Sequence, residues 1–166
     1  MEQSRPELTF AGMLSLLPTA TAVMEGSPAF PEIRGTVKLF DTDRGTVLFA
    51  EINGLPDPRN ACAAPVFGFH IHDGDACTGD AEDPFGNAGA HFNPHGCPHP
   101  YHAGDLPPLF GCDGIAVCAF LTDRFTVADV IGKAVVIHSS PDDFTTQPSG
   151  NAGKKIACGI IRPTKR

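Results

Sequence analysis

The chain begins with short apolar stretches separated by turn residues. Residues 19–26, 32–40 and 45–54 form three such stretches, and the sequence DTDRG at 41–45 has the composition of a hairpin turn. This pattern predicts three successive antiparallel strands.

Four later stretches, 65–73, 114–123, 132–140 and 154–162, have the same apolar character and predict further strands. Segment 124–132 fits a strand, a helical turn or both. The predicted fold is therefore all-β, a Greek-key sandwich or barrel of seven to eight strands.

Two long segments, 73–111 and 139–153, show no regular periodicity. Irregular loops of this length inside a compact domain are usually functional or disordered. The first segment is rich in proline, histidine and acidic residues, which favours an ordered, functional loop.

The 166 residues fit one domain, which we place at 19–162, between an N-terminal extension (1–18) and a short tail (163–166). A net charge of −7 argues against nucleic acid or an anionic membrane surface as a partner. The apolar run at 10–17 is too short to span a bilayer, and the charged residues before it, Glu2, Arg5 and Glu7, do not form the basic region of a secretory signal. We therefore expect a cytoplasmic protein.

All seven histidines fall in three places: FHIH at 69–72, the proline-broken stretch 90–105, and VVIH at 135–138. Strand alternation puts Phe69 and Ile71 on the core face, so that His70, His72 and, by the same rule, His138 point outward. Clustered imidazoles with one carboxylate suit copper and zinc. Seven histidines are too many for one metal ion, so we predict two.

Five segments, in this order, resemble the copper,zinc superoxide dismutase family across roughly 19–162. They are GFHIH (68–72), GAHFNP (89–94), HAGDLP (102–107), VVIHSSPDD (135–143) and GNAGKKIACGII (150–161). The resemblance implies bound copper and zinc, superoxide as the substrate and a possible homodimer.

The resemblance also implies roles for individual residues, with His91 bridging the two metals and taking part in catalysis. The implied copper ligands are His70, His72, His91 and His138, and the implied zinc ligands are His91, His102, Asp105 and one further histidine. For that last ligand we favour His99, which stands eight residues after His91, over His95. The resemblance makes Asp142 a carboxylate that orients ligand imidazoles from both metals, and it pairs Cys77 with Cys158 in a disulfide.

Two features depart from the family pattern. Lys155 stands where the family has an arginine beside the copper, so we favour Lys155 over the neighbouring Lys154 for attracting the anion, with poorer positioning than a guanidinium fork gives. The loop 139–153 is short, with two acids and no lysine. Both departures predict a reduced rate, and they leave open the alternative of a non-catalytic copper- and zinc-binding module with the same fold.

Overall fold

The structure is a computed structural model that describes residues 9, 12, 15–58, 62 and 65–165. Most of the predicted N-terminal extension lies outside these residues. The strands are β1 (Ala20–Gly26), β2 (Arg34–Thr42), β3 (Gly45–Asn53), β4 (Val66–Phe67), β5 (Phe69–His72), β6 (Leu109–Phe110), β7 (Ala116–Thr122), β8 (Ala134–His138) and β9 (Lys155–Pro163). No helix in the described part of the chain has the length and apolar character that a bilayer span requires.

Seven of the strands form one curled antiparallel sheet in the order β5-β8-β9-β1-β2-β3-β7, and β4 and β6 form a small second sheet. β1, β2 and β3 pair as consecutive antiparallel neighbours, as their apolar stretches predict. After β3 the chain reaches the opposite edge of the large sheet at β5 and later returns beside β3 as β7. The prediction of an all-β fold is confirmed.

The stretch predicted as one strand at 65–73 is two strands that belong to different sheets. The break lies at Gly68, whose N–H donates to the carbonyl oxygen of Ser140 at 2.8 Å. A Cβ at Gly68 would lie 2.8 Å from the Cβ of Ala152, too close for a real contact. The glycine therefore lets the loop 139–153 pack against the start of β5.

Segment 124–132, which the sequence left open, contains one helical turn, α1 (Val127–Val130). Thr126 and Asp129 form a capping box: each side chain accepts a hydrogen bond from the main-chain N–H of the other. The local capping bonds explain why this apolar stretch begins as a helical turn.

The core lies on one face of β5 and β8, where Phe69, Ile71, Val135 and Ile137 are fully buried. The predicted alternation therefore holds, but the prediction that the histidines simply point outward needs correction. His70, on the opposite face, has an exposed fraction of 0%, because the two long loops cover that face.

Candidate metal centre

Four histidines from two strands and one loop converge on this covered face. β5 supplies His70 and His72, β8 ends at His138, and the loop supplies His91. Main-chain hydrogen bonds hold the loop on β5: the N–H of Phe92 donates to the carbonyl of Ile71 at 2.8 Å. One nitrogen from each of His70, His72, His91 and His138 lies within 4.8 Å of the others, and we call this set the four-histidine group.

Two nitrogens in this group face each other without a hydrogen between them. His72 Nδ1 donates to the carbonyl of Gly89 at 2.7 Å, and His138 Nδ1 donates to that of Gly153 at 3.2 Å. In a neutral imidazole with a proton on Nδ1, Nε2 carries a lone pair. The Nε2 atoms of His72 and His138 are 3.2 Å apart, so two lone pairs point toward each other. A cation bound by both would remove this repulsion.

Two further nitrogens of the group, His70 Nδ1 and His91 Nε2, are buried without a hydrogen-bond partner. A buried polar atom left unpaired costs about 1 to 3 kcal/mol. A metal ion would satisfy both atoms, and all-imidazole ligation fits copper. The residues present therefore fit the implied metal.

Three imidazoles of the four-histidine group, those of His70, His72 and His138, are suited to bind metal because they stay neutral. Burial, together with the nearby imidazoles, lowers the pKa of His70 far below its usual range. Burial also lowers the pKa of His72 to about 3 and that of His138 to about 4. Neutral imidazole is the ligating form, so these three side chains are available to a metal at neutral pH.

A second set of ligand atoms lies next to the first and shares His91 with it. His91, His99, His102 and Asp105 also place one ligand atom each within 4.8 Å of the others, and we call this set the aspartate group. The Nδ1 atoms of His91, His99 and His102 lie 2.8, 3.0 and 3.3 Å, respectively, from a carboxylate oxygen of Asp105. Three imidazoles with one carboxylate form an ordinary tetrahedral zinc set.

Asp105 stays ionised although it is partly buried. Burial by itself raises its pKa, but the hydrogen bond with His91 and the charges of the nearby imidazoles outweigh burial and leave the pKa below its usual value. His91 thus presents Nδ1 to the aspartate group and its unpartnered Nε2 to the four-histidine group. This is the arrangement expected of a ligand shared by two metals.

Asp142 connects the two groups by accepting a hydrogen bond from one imidazole of each. Its Oδ2 accepts from His70 Nε2 at 2.7 Å and its Oδ1 from His99 Nε2 at 2.8 Å. Both imidazoles consequently direct Nδ1 into their groups. Gly150, at φ +68°, leaves room for this contact, because a Cβ there would collide with Asp142 Oδ1.

The structure also separates the two histidines that the sequence left in competition. His99 is buried and contributes to the aspartate group, whereas His95 is exposed and belongs to neither group. The hydrogen bond from His99 Nε2 to Asp142 Oδ1 holds His99 in the aspartate group, and His95 has no such contact with Asp142.

If the aspartate group holds zinc, His99→Gln should weaken zinc binding by at least about 100-fold, because it removes one of the four ligand atoms, and His95→Gln should leave it unchanged. Competition with a chromophoric chelator measures both. Equal losses in the two variants would contradict the choice of His99.

Lys155 lines a cavity of about 660 Å³ together with His72, His91 and His138. Its Nζ contacts Asp83 Oδ2 at 2.5 Å, and the Lys155 side chain is only 16% exposed. Sequence reasoning did not find Asp83, since nothing in its local pattern indicates a contact with β9.

The predicted disulfide is present. Cys77 and Cys158 are joined with an S–S distance of 2.01 Å across a sequence separation of 81 residues. The bond ties the loop that carries Asp83 to β9, close to Lys155. Cys62, Cys97, Cys112 and Cys118 are not in disulfides.

Comparison with known proteins agrees with this geometry. The family model for copper/zinc superoxide dismutase (SODC) matches residues 33–161. Superoxide dismutase [Cu-Zn] 2 of Aquifex aeolicus is 37% identical over 147 residues, covering 79% of this chain and 80% of that protein. Superoxide dismutase [Cu-Zn] of Deinococcus radiodurans is 35% identical, with coverages of 79% and 78%. The corresponding protein of Photobacterium leiognathi is 32% identical, with coverages of 77% and 78%. With two adjoining histidine-rich groups, a shared His91 and this similarity over most of its length, the chain belongs to the copper/zinc superoxide dismutase family.

Proposed function

We propose that the four-histidine group holds copper, that the aspartate group holds zinc, and that the pair disproportionates superoxide. The observation that carries the proposal is His91, whose two nitrogens face different groups. A protein that only stored metal would not need a ligand shared between two sites. The copper ligands are then His70, His72, His91 and His138, and the zinc ligands His91, His99, His102 and Asp105.

When bound, copper supplies one-electron redox chemistry. One superoxide anion is oxidised to O₂, and a second is reduced and takes up two protons to give hydrogen peroxide. The proteins named above are superoxide dismutases, and the donor sets of this chain suit both metals.

Groups of this chain orient the ligand imidazoles, and His91 carries one proton. Asp142 fixes His70 and His99, while the carbonyls of Gly89 and Gly153 fix His72 and His138. His91 Nε2 can bear a proton while its Nδ1 stays with the aspartate group. Because His91 lines the cavity, that proton can be given to the reduced anion.

Lys155 is proposed to attract superoxide into the cavity. We expect Lys155→Ala to lower kcat/KM by about tenfold and to weaken its dependence on salt, because a cation that lines the cavity with the histidines is lost. Lys155→Arg should keep or raise the activity, since its fork of donors positions an anion better. Assays at several ionic strengths measure both effects.

Lys154→Ala is the matched comparison, because Lys154 carries the same charge and lines the same cavity but is more exposed than Lys155. The role of Lys155 would be wrong if Lys155→Ala left kcat/KM unchanged, or if Lys154→Ala produced the same loss.

One observation favours the second candidate, a non-catalytic copper- and zinc-binding module. The ammonium of Lys155 already pairs with Asp83, which partly neutralises the charge available to an anion. Stoichiometric metal binding without superoxide removal would favour this module over the enzyme.

A homodimer is part of the proposal. β7 lies at an edge of the large sheet, and its outward side chains Val117 and Leu121 are 61% and 52% exposed, with Phe110 nearby on β6 at 69%. These apolar side chains supply a surface for a second copy. Sedimentation of the metal-bound protein as a monomer at micromolar concentration would exclude it.

The cytoplasmic location likewise stays a proposal. A disulfide persists more readily in oxidising compartments, so Cys77–Cys158 weighs against this location. Cell fractionation tests it, and recovery of the protein outside the cytoplasm would overturn it.

A further inference from the structure

The main chain of His99 is held by a side chain rather than by another strand. His99 lies between two prolines, Pro98 and Pro100, which have no N–H to donate. Among the described residues, no main-chain group donates to or accepts from the N–H and carbonyl of His99. Secondary structure therefore does not fix the position of this histidine.

Gln147, in the loop 139–153, supplies a hydrogen-bond partner for both the N–H and the carbonyl of His99. The N–H of His99 donates to Gln147 Oε1 at 2.9 Å, and Gln147 Nε2 donates to the carbonyl of His99 at 2.7 Å. The side-chain amide thus takes the place of a neighbouring strand. A longer contact, 3.4 Å, joins the same Nε2 to the carbonyl of Thr145.

The loop 139–153 consequently fixes His99 at two points. Asp142 holds the imidazole through Nε2, and Gln147 holds the main chain. With both ends fixed, Nδ1 has one available direction, toward Asp105 at 3.0 Å. Orientation of ligands by such outer partners typically contributes about 10- to 100-fold to metal affinity.

We propose that Gln147 is a positioning residue for the zinc site, which it preorganises by clamping the main chain of His99. This inference rests on the proposed assignment of the aspartate group to zinc. Gln147 itself is exposed and belongs to neither ligand set, so its effect on the metal is indirect.

The test compares Gln147→Ala, Gln147→Glu and the wild-type protein. Gln147→Ala removes both bonds and should weaken zinc binding by about tenfold. Gln147→Glu keeps the oxygen that accepts from the N–H of His99 but loses the donor, so its affinity should fall between the two. Zinc affinity is measured with a chromophoric chelator, and cobalt(II) bound in place of zinc reports ligand geometry through its visible spectrum.

Thr145→Ala is the matched control, since its exposed hydroxyl in the same loop contacts Asp143 and no ligand. It should change neither zinc affinity nor the cobalt spectrum. Tight zinc binding by the wild type, with Gln147→Ala within twofold of it and an unchanged cobalt spectrum, would overturn this inference alone. Equal losses in Thr145→Ala and Gln147→Ala would do the same, by indicating general loosening of the loop. Failure of the wild type to bind zinc at the aspartate group would overturn the proposed function as well.

Discussion

Asp142→Asn is expected to weaken binding of both metals by about 10- to 100-fold and to abolish most superoxide removal. The carboxylate accepts from His70 Nε2 at 2.7 Å and from His99 Nε2 at 2.8 Å, one imidazole from each group. An amide has a single oxygen, so it can accept from only one of these imidazoles and presents N–H to the other. That second imidazole would have to turn or change tautomer, which moves its Nδ1 out of its group. Because His91 belongs to both groups, loss of the metal from one group also weakens binding in the other.

Asp143→Asn is the control for this variant. Asp143 is the next residue, carries the same charge and is exposed, and its carboxylate contacts Thr145 and Thr146 rather than an imidazole. Equilibrium dialysis followed by elemental analysis gives copper and zinc per chain in each variant. If Asp142→Asn lost one metal and kept the other at wild-type affinity, Asp142 would not connect the two sites.

Replacing both cysteines of the disulfide with serine is expected to lower the free energy of unfolding of the metal-free protein by about 4 kcal/mol. The estimate follows from closure of a loop across 81 residues, which restricts the unfolded chain. The double variant Cys77→Ser, Cys158→Ser is appropriate, because a single replacement would leave a reactive partner thiol. Urea unfolding measures the change.

Cys112→Ser serves as the control, because Cys112 is exposed and outside the disulfide. The free energy of unfolding of this variant should match that of the wild type. The double variant should also lose activity, since the loop released from β9 carries His91, which belongs to both ligand groups. Unfolding midpoints that agree between the double variant and the wild type, both under oxidising conditions, would contradict this account of the disulfide.

The regular part of the fold could be predicted because strand patterns are local. Alternation along β5 identified Phe69 and Ile71 as core residues and put His70 on the other face, and the structure agrees. The break at Gly68 could not be predicted, because alternation continues across it and only the approach of the loop 139–153 divides the strands. The burial of His70 could not be predicted either, because it also depends on loops that cover this face of the sheet.

The candidate site divides in the same way. The resemblance implied which residues would be metal ligands and singled out Asp142, and the structure brings these residues together. Asp83 and Gln147 have no signal in the sequence, because each lies in an irregular segment and contacts a partner 72 or 48 residues away. Contacts between two loops depend on how both are folded, and spacing along the chain carries no record of them.

The most direct test of the central claim is to load the protein with copper and zinc, count both metals, and measure superoxide removal on the same sample. The account predicts one copper and one zinc per chain, with superoxide removed catalytically and activity lost when copper is withdrawn. Copper bound at one per chain, with superoxide removed no faster than by the metal-free protein, would contradict it.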